Sequence, residues 1–379
     1  MKDYPKRRIT IFIAAWGAGE IGQGIAFARY ALWRGARIIF AVLRREDLSL
    51  VPLEVASVTG LVGPEESRLA AIVTATSKSL NRAIASHRPD ALILCNSKLF
   101  SWDGFYPTHP PSPKPPTISI DSNWLFDPAY RLHALPWVDV YCINLPGKIF
   151  KLGLKQYGGH YEISPSVLKK IRVVGLVPSY PKTPTSEVKK IRAQYGVLPG
   201  EKLVFLYASV RWRHFKQEVF EKAVEAVRLL QEQGYRIKMV SVGGRDRRKT
   251  SNEWFTQIPS IGAMGFYKIL ASSDLVFQHQ GLGTLAQAIS ARIPAIANVI
   301  DVENEEDPRH AHAWEALPFQ KTGACSLLYF STPISAVAQE IETLLYDRRA
   351  RRAMQRQQAK LYSRGEKAVF EEVLRAIGY

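Results

Sequence analysis

The chain has few cysteines, too few acids for its bases and no long apolar run. Its three cysteines in 379 residues are Cys95, Cys142 and Cys325. Their number is odd, their surroundings are apolar and strand-like, and their spacing suits no metal. A disulfide framework and a zinc site are thereby excluded, and reduced thiols are expected. No apolar stretch approaches the roughly 20 residues that span a bilayer. The opening MKDYPKRRIT lacks the apolar core and cleavage site of a signal peptide, so a cytoplasmic protein is expected. Zinc-finger spacings, aromatic RNA-binding signatures and basic heptads are missing too, which leaves nucleic acid out of the expected partners.

Acids are outnumbered by 34 to 51, a formal net charge of +17. Residues 1–180 carry 22 Lys and Arg against 13 Asp and Glu, and residues 181–379 carry 29 against 21. Both halves are basic, so the surplus is not an appended nucleic-acid arm. It favours anionic ligands such as nucleotides or acidic lipid headgroups.

The length suggests two domains. In the first half RITIFIAA, ARIIFAVL, DALILCN, TISID and VDVYCIN read as strands, with helices over about Gly22–Trp33 and Glu66–Ser86. The prolines of Tyr106–Pro116 require an extended loop. VVGLVPSYPKTPTSE reads as a last strand and a hinge, with Ser186 opening a new helix. The alternation then restarts with KLVFLYAS, a helix through Glu218–Gln233, RIKMVSVGG, a short helix near Tyr267–Ser272, DLVFQH, a helix from Gly283, PAIANVI, a helix near Ala311–Phe319, SLLYF, and helix from Ile334 onward. The pattern predicts an α/β protein of two Rossmann-like domains, 1–180 and 181–379, facing a ligand cleft.

Two glycine strings follow strands. Gly17, Gly19 and Gly22 spell G-x-G-x-x-G after the first, a string that dinucleotide-binding turns share with other phosphate-facing loops. A dinucleotide fold wants an acid ending the second strand; Arg44 and Arg45 stand there, which suits NADP at best. The second string, His279-x-Gly281-x-Gly283-Thr284-x-x-Gln287, joins a strand to a helix start. Backbone N–H groups, a hydroxyl and an imidazole there form an anion site.

That second pattern resembles the donor motif of Leloir glycosyltransferases of the glycosyltransferase B fold. The segment AHAWEALPFQKTGACSLL resembles the N-acetylglucosaminyltransferases that make peptidoglycan lipid II, through Trp314, Ala316, Leu317, Pro318, Lys321, Gly323 and Ala324. The likeness is strong over about 236–330 and architectural before that. It implies a metal-independent, inverting transfer from a nucleotide-diphosphate sugar, a co-substrate rather than a cofactor, to a lipid-linked or envelope saccharide. UDP is the expected nucleotide and the inner membrane face the expected location. No metal-binding Asp-x-Asp pair of the other glycosyltransferase fold occurs.

The resemblance implies that His279 and Thr284 contact the diphosphate, with Gly281 and Gly283 in the turn, and that Gln287 faces the ribose where relatives carry Glu. Ser209, Asp307, Arg309 and His312 are the further donor candidates. Gly17, Gly19 and Gly22 become an acceptor loop. Gly24, Ala26 and Ala28 match the family's following helix, so Glu20 falls where the family has histidine. Glu20 and Asp121, the latter ending TISID, are the candidate bases. Glu315 replaces an asparagine and Ala311–His312 a glutamine pair, which points to a relative with another donor or acceptor. An epimerase or hydrolase of the same fold, an NADP oxidoreductase and a non-catalytic nucleotide-sugar binder remain alternatives. The tail YDRRARRAMQRQQAKLYSRGEK reads as a solvated helical face whose apolar side packs on the first domain, with attraction to anionic lipid as the alternative.

Overall fold

A computed structural model of the chain describes residues 8–15, 18–42, 51, 69–74, 77–95, 114–121, 137–157, 165–178, 183–208, 213–243, 250–259, 261–279, 281–301 and 310–379. The chain divides into two compact units, one of residues 1–179 with 363–379, the other of residues 180–362. A linear division at 180 differs from this at the C-terminus, which returns to the first unit.

The first unit holds β1 (Thr10–Ala15), α1 (Ala18–Trp33), β2 (Arg37–Val42), β3 (Leu69–Val73), α2 (Ser77–His87), β4 (Ala91–Cys95), β5 (Thr117–Asp121), β6 (Val140–Ile143), α3 (Gly147–Tyr157), α4 (Pro165–Leu168) and β7 (Ile171–Val173). The described strands form one parallel sheet ordered β3-β2-β1-β4-β5-β6-β7. Its central strands are near-continuous apolar runs because both faces are covered. Ile11, Phe12, Ile13, Ile38, Ile39, Phe40 and Ile93 are all fully buried.

In the second unit come α5 (Thr185–Gln194), β8 (Lys202–Ala208), α6 (Arg213–Glu232), β9 (Ile237–Gly243), β10 (Thr250–Ser251), β11 (Phe255–Ile258), α7 (Ala263–Ser272), β12 (Leu275–His279), α8 (Leu282–Ala291), β13 (Ala295–Val299), α9 (His310–Lys321), β14 (Ser326–Tyr329), α10 (Ile334–Tyr346) and α11 (Arg348–Leu361). The sheet order is β10-β11-β9-β8-β12-β13-β14, parallel except for β10 against β11. Asp274 ties the unit together: its carboxylate accepts from Arg192 and from the Leu203 N–H, each at 2.9 Å, and from Arg351 at 3.5 Å.

The last helix, α12 (Gly365–Ala376), packs in the first unit, as the fold predicted from sequence requires. Phe370 meets the rings of Phe27 and Tyr30 at 6.5 and 5.8 Å. Gly365 approaches the 175–177 backbone so closely that a Cβ there would lie 2.4 Å from the Leu176 carbonyl oxygen. Only glycine fits.

Three expectations are corrected. The helix expected over Glu66–Ser86 is a strand at Leu69–Val73, paired in parallel with β2, followed by a helix beginning at Ser77. Helix α1 begins at Ala18 rather than Gly22, so Gly19 and Gly22 are helical and not part of a loop. The basic tail helix α11 packs in the second unit: the Ala295 N–H reaches Met354 Sδ, and Gln358 donates to the carbonyls of Ile293 and Ala324.

Candidate functional site

In an open parallel sheet, ligands bind at the C-terminal strand ends where the strand order reverses. The second sheet reverses at β8 and β12. His279 ends β12 at that position, with Nδ1 3.4 Å from the Tyr207 carbonyl oxygen on β8 and its ring 5.3 Å from the Tyr207 ring. Tyr207 is held edge-on by Phe266 of α7 at 4.8 Å. The imidazole is thus backed by an aromatic wall on the neighbouring strand.

Beyond His279 the chain turns tightly. The Gly281 N–H donates to the His279 carbonyl at 2.6 Å, and Gly281 opens α8 without any side-chain cap. The first intrahelical bond of α8 is Leu285 N–H to Gly281 O, 3.2 Å. The N–H groups of Leu282, Gly283 and Thr284 come before it, at the positive end of the helix dipole. A Cβ on Gly283 would meet nothing within 4 Å, and one on Gly281 would make only ordinary contact with the His279 ring, at 3.6 Å. Packing among the described residues therefore demands neither glycine. Close approach of a ligand to the backbone gives both a reason.

Thr284 and Gln287 lie on the buried side of α8. The Gln287 Oε1 is buried with no hydrogen-bond partner among the described residues. Two side chains that the sequence reasoning passed over stand close by in the sheet. Among the described residues Gln278, only 1% exposed, has neither amide atom satisfied, and the Asn298 Oδ1 on β13 is also unpaired. Both are polar residues in otherwise apolar parallel strands, which was the available signal. Gln278, Gly281, Leu282, Leu285 and buried Glu315 of α9 line a narrow crevice of about 10 Å³, about the room one water needs. The substitution of Glu315 for asparagine thus falls beside the α8 N-terminus.

A wider concavity of this unit, about 430 Å³, lies elsewhere. Its lining includes Cys325 and Ser326 at the start of β14, Glu340 of α10 and Ala350 of α11. It therefore opens at the N-terminal strand ends, the wrong edge for a ligand in this sheet class.

The first sheet reverses at β1 and β4. Glu20 stands in the first turn of α1, immediately after β1. Asp121 ends β5 and is nearly buried at 4% exposure. The Ser119 hydroxyl donates to Asp121 Oδ2, and the Asp121 carbonyl accepts from the Asn144 N–H at 2.8 Å. Cys95, ending β4, has its thiol pushed well above the usual range by burial, and further by the negative fields of Glu20 and Asp121. Both carboxylates therefore act on one strand end at the reversal. Cys142 is raised by burial first, then by Glu372 and Asp121. Both thiols are buried and held in the neutral form.

Gly24 is the glycine that lets α1 approach the sheet. A Cβ there would lie 2.7 Å from Phe40 Cζ and 3.2 Å from Cys95 Sγ, whereas Gly19 and Gly22 face open space. In a dinucleotide fingerprint the third glycine does this packing; here Gly22 does not. Gly17, Ser209, Asp307 and Arg309 lie outside the described residues, and the side chain of His312, on α9, is also outside them. Among the described residues no three His, Cys, Asp or Glu gather as a metal site, and no helix is long and apolar enough to cross a membrane.

A scan against protein-family models finds no match, and no curated protein matches the chain in sequence. Solved structures do. Arabidopsis thaliana UGT89C1 in complex with UDP-L-rhamnose is 12% identical, with 98% of this chain and 100% of that chain covered and a TM-score of 0.66. A structure named for UDP-N-acetylglucosamine 2-epimerase from Listeria monocytogenes is 16% identical over 96% of this chain and 94% of that one, TM-score 0.64. The glycotransferase of kitacinnamycin is 12% identical over 98% and 100%, TM-score 0.60. At these identities the likeness is one of fold, two Rossmann-like units in a single chain. It is the glycosyltransferase B fold.

Proposed function

We propose that the chain is an enzyme that uses a nucleotide-diphosphate sugar, held by the second unit at the start of α8. The observation that carries this is the uncapped α8 N-terminus at the sheet reversal, with His279 beside it and two glycines that packing does not require. Amides at a helix start suit a diphosphate, and charge-assisted bonds to it are among the stronger hydrogen bonds. The UDP-L-rhamnose bound by UGT89C1 supports a UDP-sugar.

The reaction is transfer with inversion to an acceptor hydroxyl, and Asp121 or Glu20 is its base. As the acceptor oxygen forms its bond to the anomeric carbon, the base takes the hydroxyl proton and the bond to the diphosphate breaks. His279, Thr284 and the α8 amides stabilise the charge that develops on the leaving phosphate. The resemblance of Ala311–Leu328 to the lipid II enzymes supports a lipid-linked or envelope saccharide as acceptor, met at the inner membrane face.

Calorimetric titration with UDP, dTDP, GDP and NADP tests the donor site, with His279→Ala as the variant. Tight binding of NADP alone, or affinities unmoved in His279→Ala, refutes it. Glu20→Gln and Asp121→Asn separate the bases: the true base loses roughly 10²–10⁴ in turnover. The epimerase name of the Listeria structure supports one second reading. An epimerase converts the UDP-sugar without an acceptor, which analysis of the nucleotide sugars after incubation with donor alone detects.

A further inference from the structure

Helix α11 carries six basic residues and no acidic one. Arg351 is turned inward, donating to the Leu345 carbonyl and pairing with Asp274. Arg348, Arg349, Arg352, Arg356 and Lys360 are exposed, and among the described residues none of the five makes an ion pair. At 100° per residue these five occupy an arc of about 120°, spread over about 18 Å of helix. Met354, Gln358 and Leu361, on the opposite side, are buried. The facet is therefore fixed outward by the packing of its back.

Fold stability does not explain this stripe. Cations in the first turn oppose the helix dipole, and like charges four residues apart repel. Asp347 caps the helix by accepting from the Arg349 and Ala350 N–H groups, which offsets only part of that cost. The five outward cations are complementary in charge to a polyanion outside the chain.

We propose that this facet of α11 docks the protein on an anionic lipid surface. A flat layer of headgroups meets all five cations at once and requires no groove. A nucleic acid fits less well, because the facet has no aromatic side chain for base stacking. Glu340 of neighbouring α10, lining the concavity beside Ala350 and Ala353, also repels a strand that wraps off the facet. The facet has no large apolar side chain to insert, so the attachment is electrostatic and reversible by salt. It is independent of the sugar-nucleotide chemistry proposed above.

Flotation of the full chain with vesicles of phosphatidylcholine, alone or mixed with phosphatidylglycerol, tests the inference. Each cation contributes roughly fivefold to partitioning at an anionic surface. The triple variant R349Q/R352Q/R356Q is expected to lose about 100-fold, at three such factors. Raising salt shortens the screening length from about 10 Å at 0.1 M to about 3 Å at 1 M and releases the wild type. The triple Arg→Lys variant retains binding, since a lipid surface responds to charge rather than guanidinium geometry. Thermal melting without ligand is unchanged in the Lys variant and unchanged or slightly higher in the Gln variant, and the response to UDP stays as in wild type in both, which separates this test from the donor site. Equal wild-type partitioning to both vesicles, no partitioning at all, or unchanged binding by the Gln variant overturns the proposal. Binding of duplex DNA or RNA through the same residues, without vesicle binding, overturns it too.

Discussion

Replacing Gly283 by alanine separates stability from function at the proposed donor site. Glycine within a helix costs about 0.8–1.0 kcal/mol relative to alanine, through the backbone freedom it loses on folding. Gly283 is the second residue of α8, in its fraying first turn, so about half of that is expected to be recovered. No strain offsets the gain, because a Cβ there meets no heavy atom within 4 Å. A gain of about 0.5 kcal/mol raises the melting point of a unit this size by about 1–2 °C. The same methyl stands where a phosphate would approach the helix amides. Holding the ligand off weakens UDP by tenfold or more, about 1.4 kcal/mol. Melting curves with and without UDP, with calorimetric titration, measure both effects. The expected variant melts higher alone and gains less from UDP. A lower melting point without ligand means that glycine serves packing, and unchanged UDP affinity means that no ligand passes this position; either result refutes the reasoning.

Gly24→Ala drives a methyl into Phe40 and Cys95 and is expected to destabilise the first unit by about 1–3 kcal/mol, whereas Gly22→Ala is neutral or stabilising; chemical denaturation compares them. Gln287→Leu removes a buried oxygen that has no partner among the described residues, so stability changes little while UDP affinity falls and discrimination against dUDP disappears, as competition titration reads. Asp274→Asn takes the charge from a carboxylate that faces Arg192 and Arg351, and about 2–4 kcal/mol of stability is expected to go with it, measured by urea unfolding.

Strands buried on both faces were legible because they are continuous apolar runs; β1, β2, β4, β8, β12 and β13 all read directly. Strand β3 did not. LAAIV is a partly exposed edge strand, and its alanines serve a helix as well as a sheet. Strand β11 was missed for a related reason, since FTQI is half polar and too short to show a period. Helix α3 carries three lysines on an exposed face, and GKIFKLGLKQY has two glycines that weaken its helical signal. At the candidate site, His279 and the α8 start were visible because strand, glycine turn and helix follow one another locally. Gln278, Asn298 and the shared end where Glu20 and Asp121 flank Cys95 depend on strand order, which no local pattern encodes.

The two glycine strings look alike in sequence and differ in what the fold makes of them. In the first unit the chain enters the helix before Gly19, and the glycine that matters sterically, Gly24, lies outside the string. There the glycine serves helix–sheet contact, and Glu20 in the first turn places a carboxylate at the positive helix end. A carboxylate at that end competes with an anionic ligand for the same amides. In the second unit Gly281 precedes the helix, the first turn holds no acid, and a histidine stands at the strand end. The first turn of that helix offers its amides no carboxylate of its own, and the acid beside it, buried Glu315, belongs to α9. This difference in charge at the two helix starts supports the proposal that the anion binds in the second unit and that the base, Glu20 or Asp121, comes from the first.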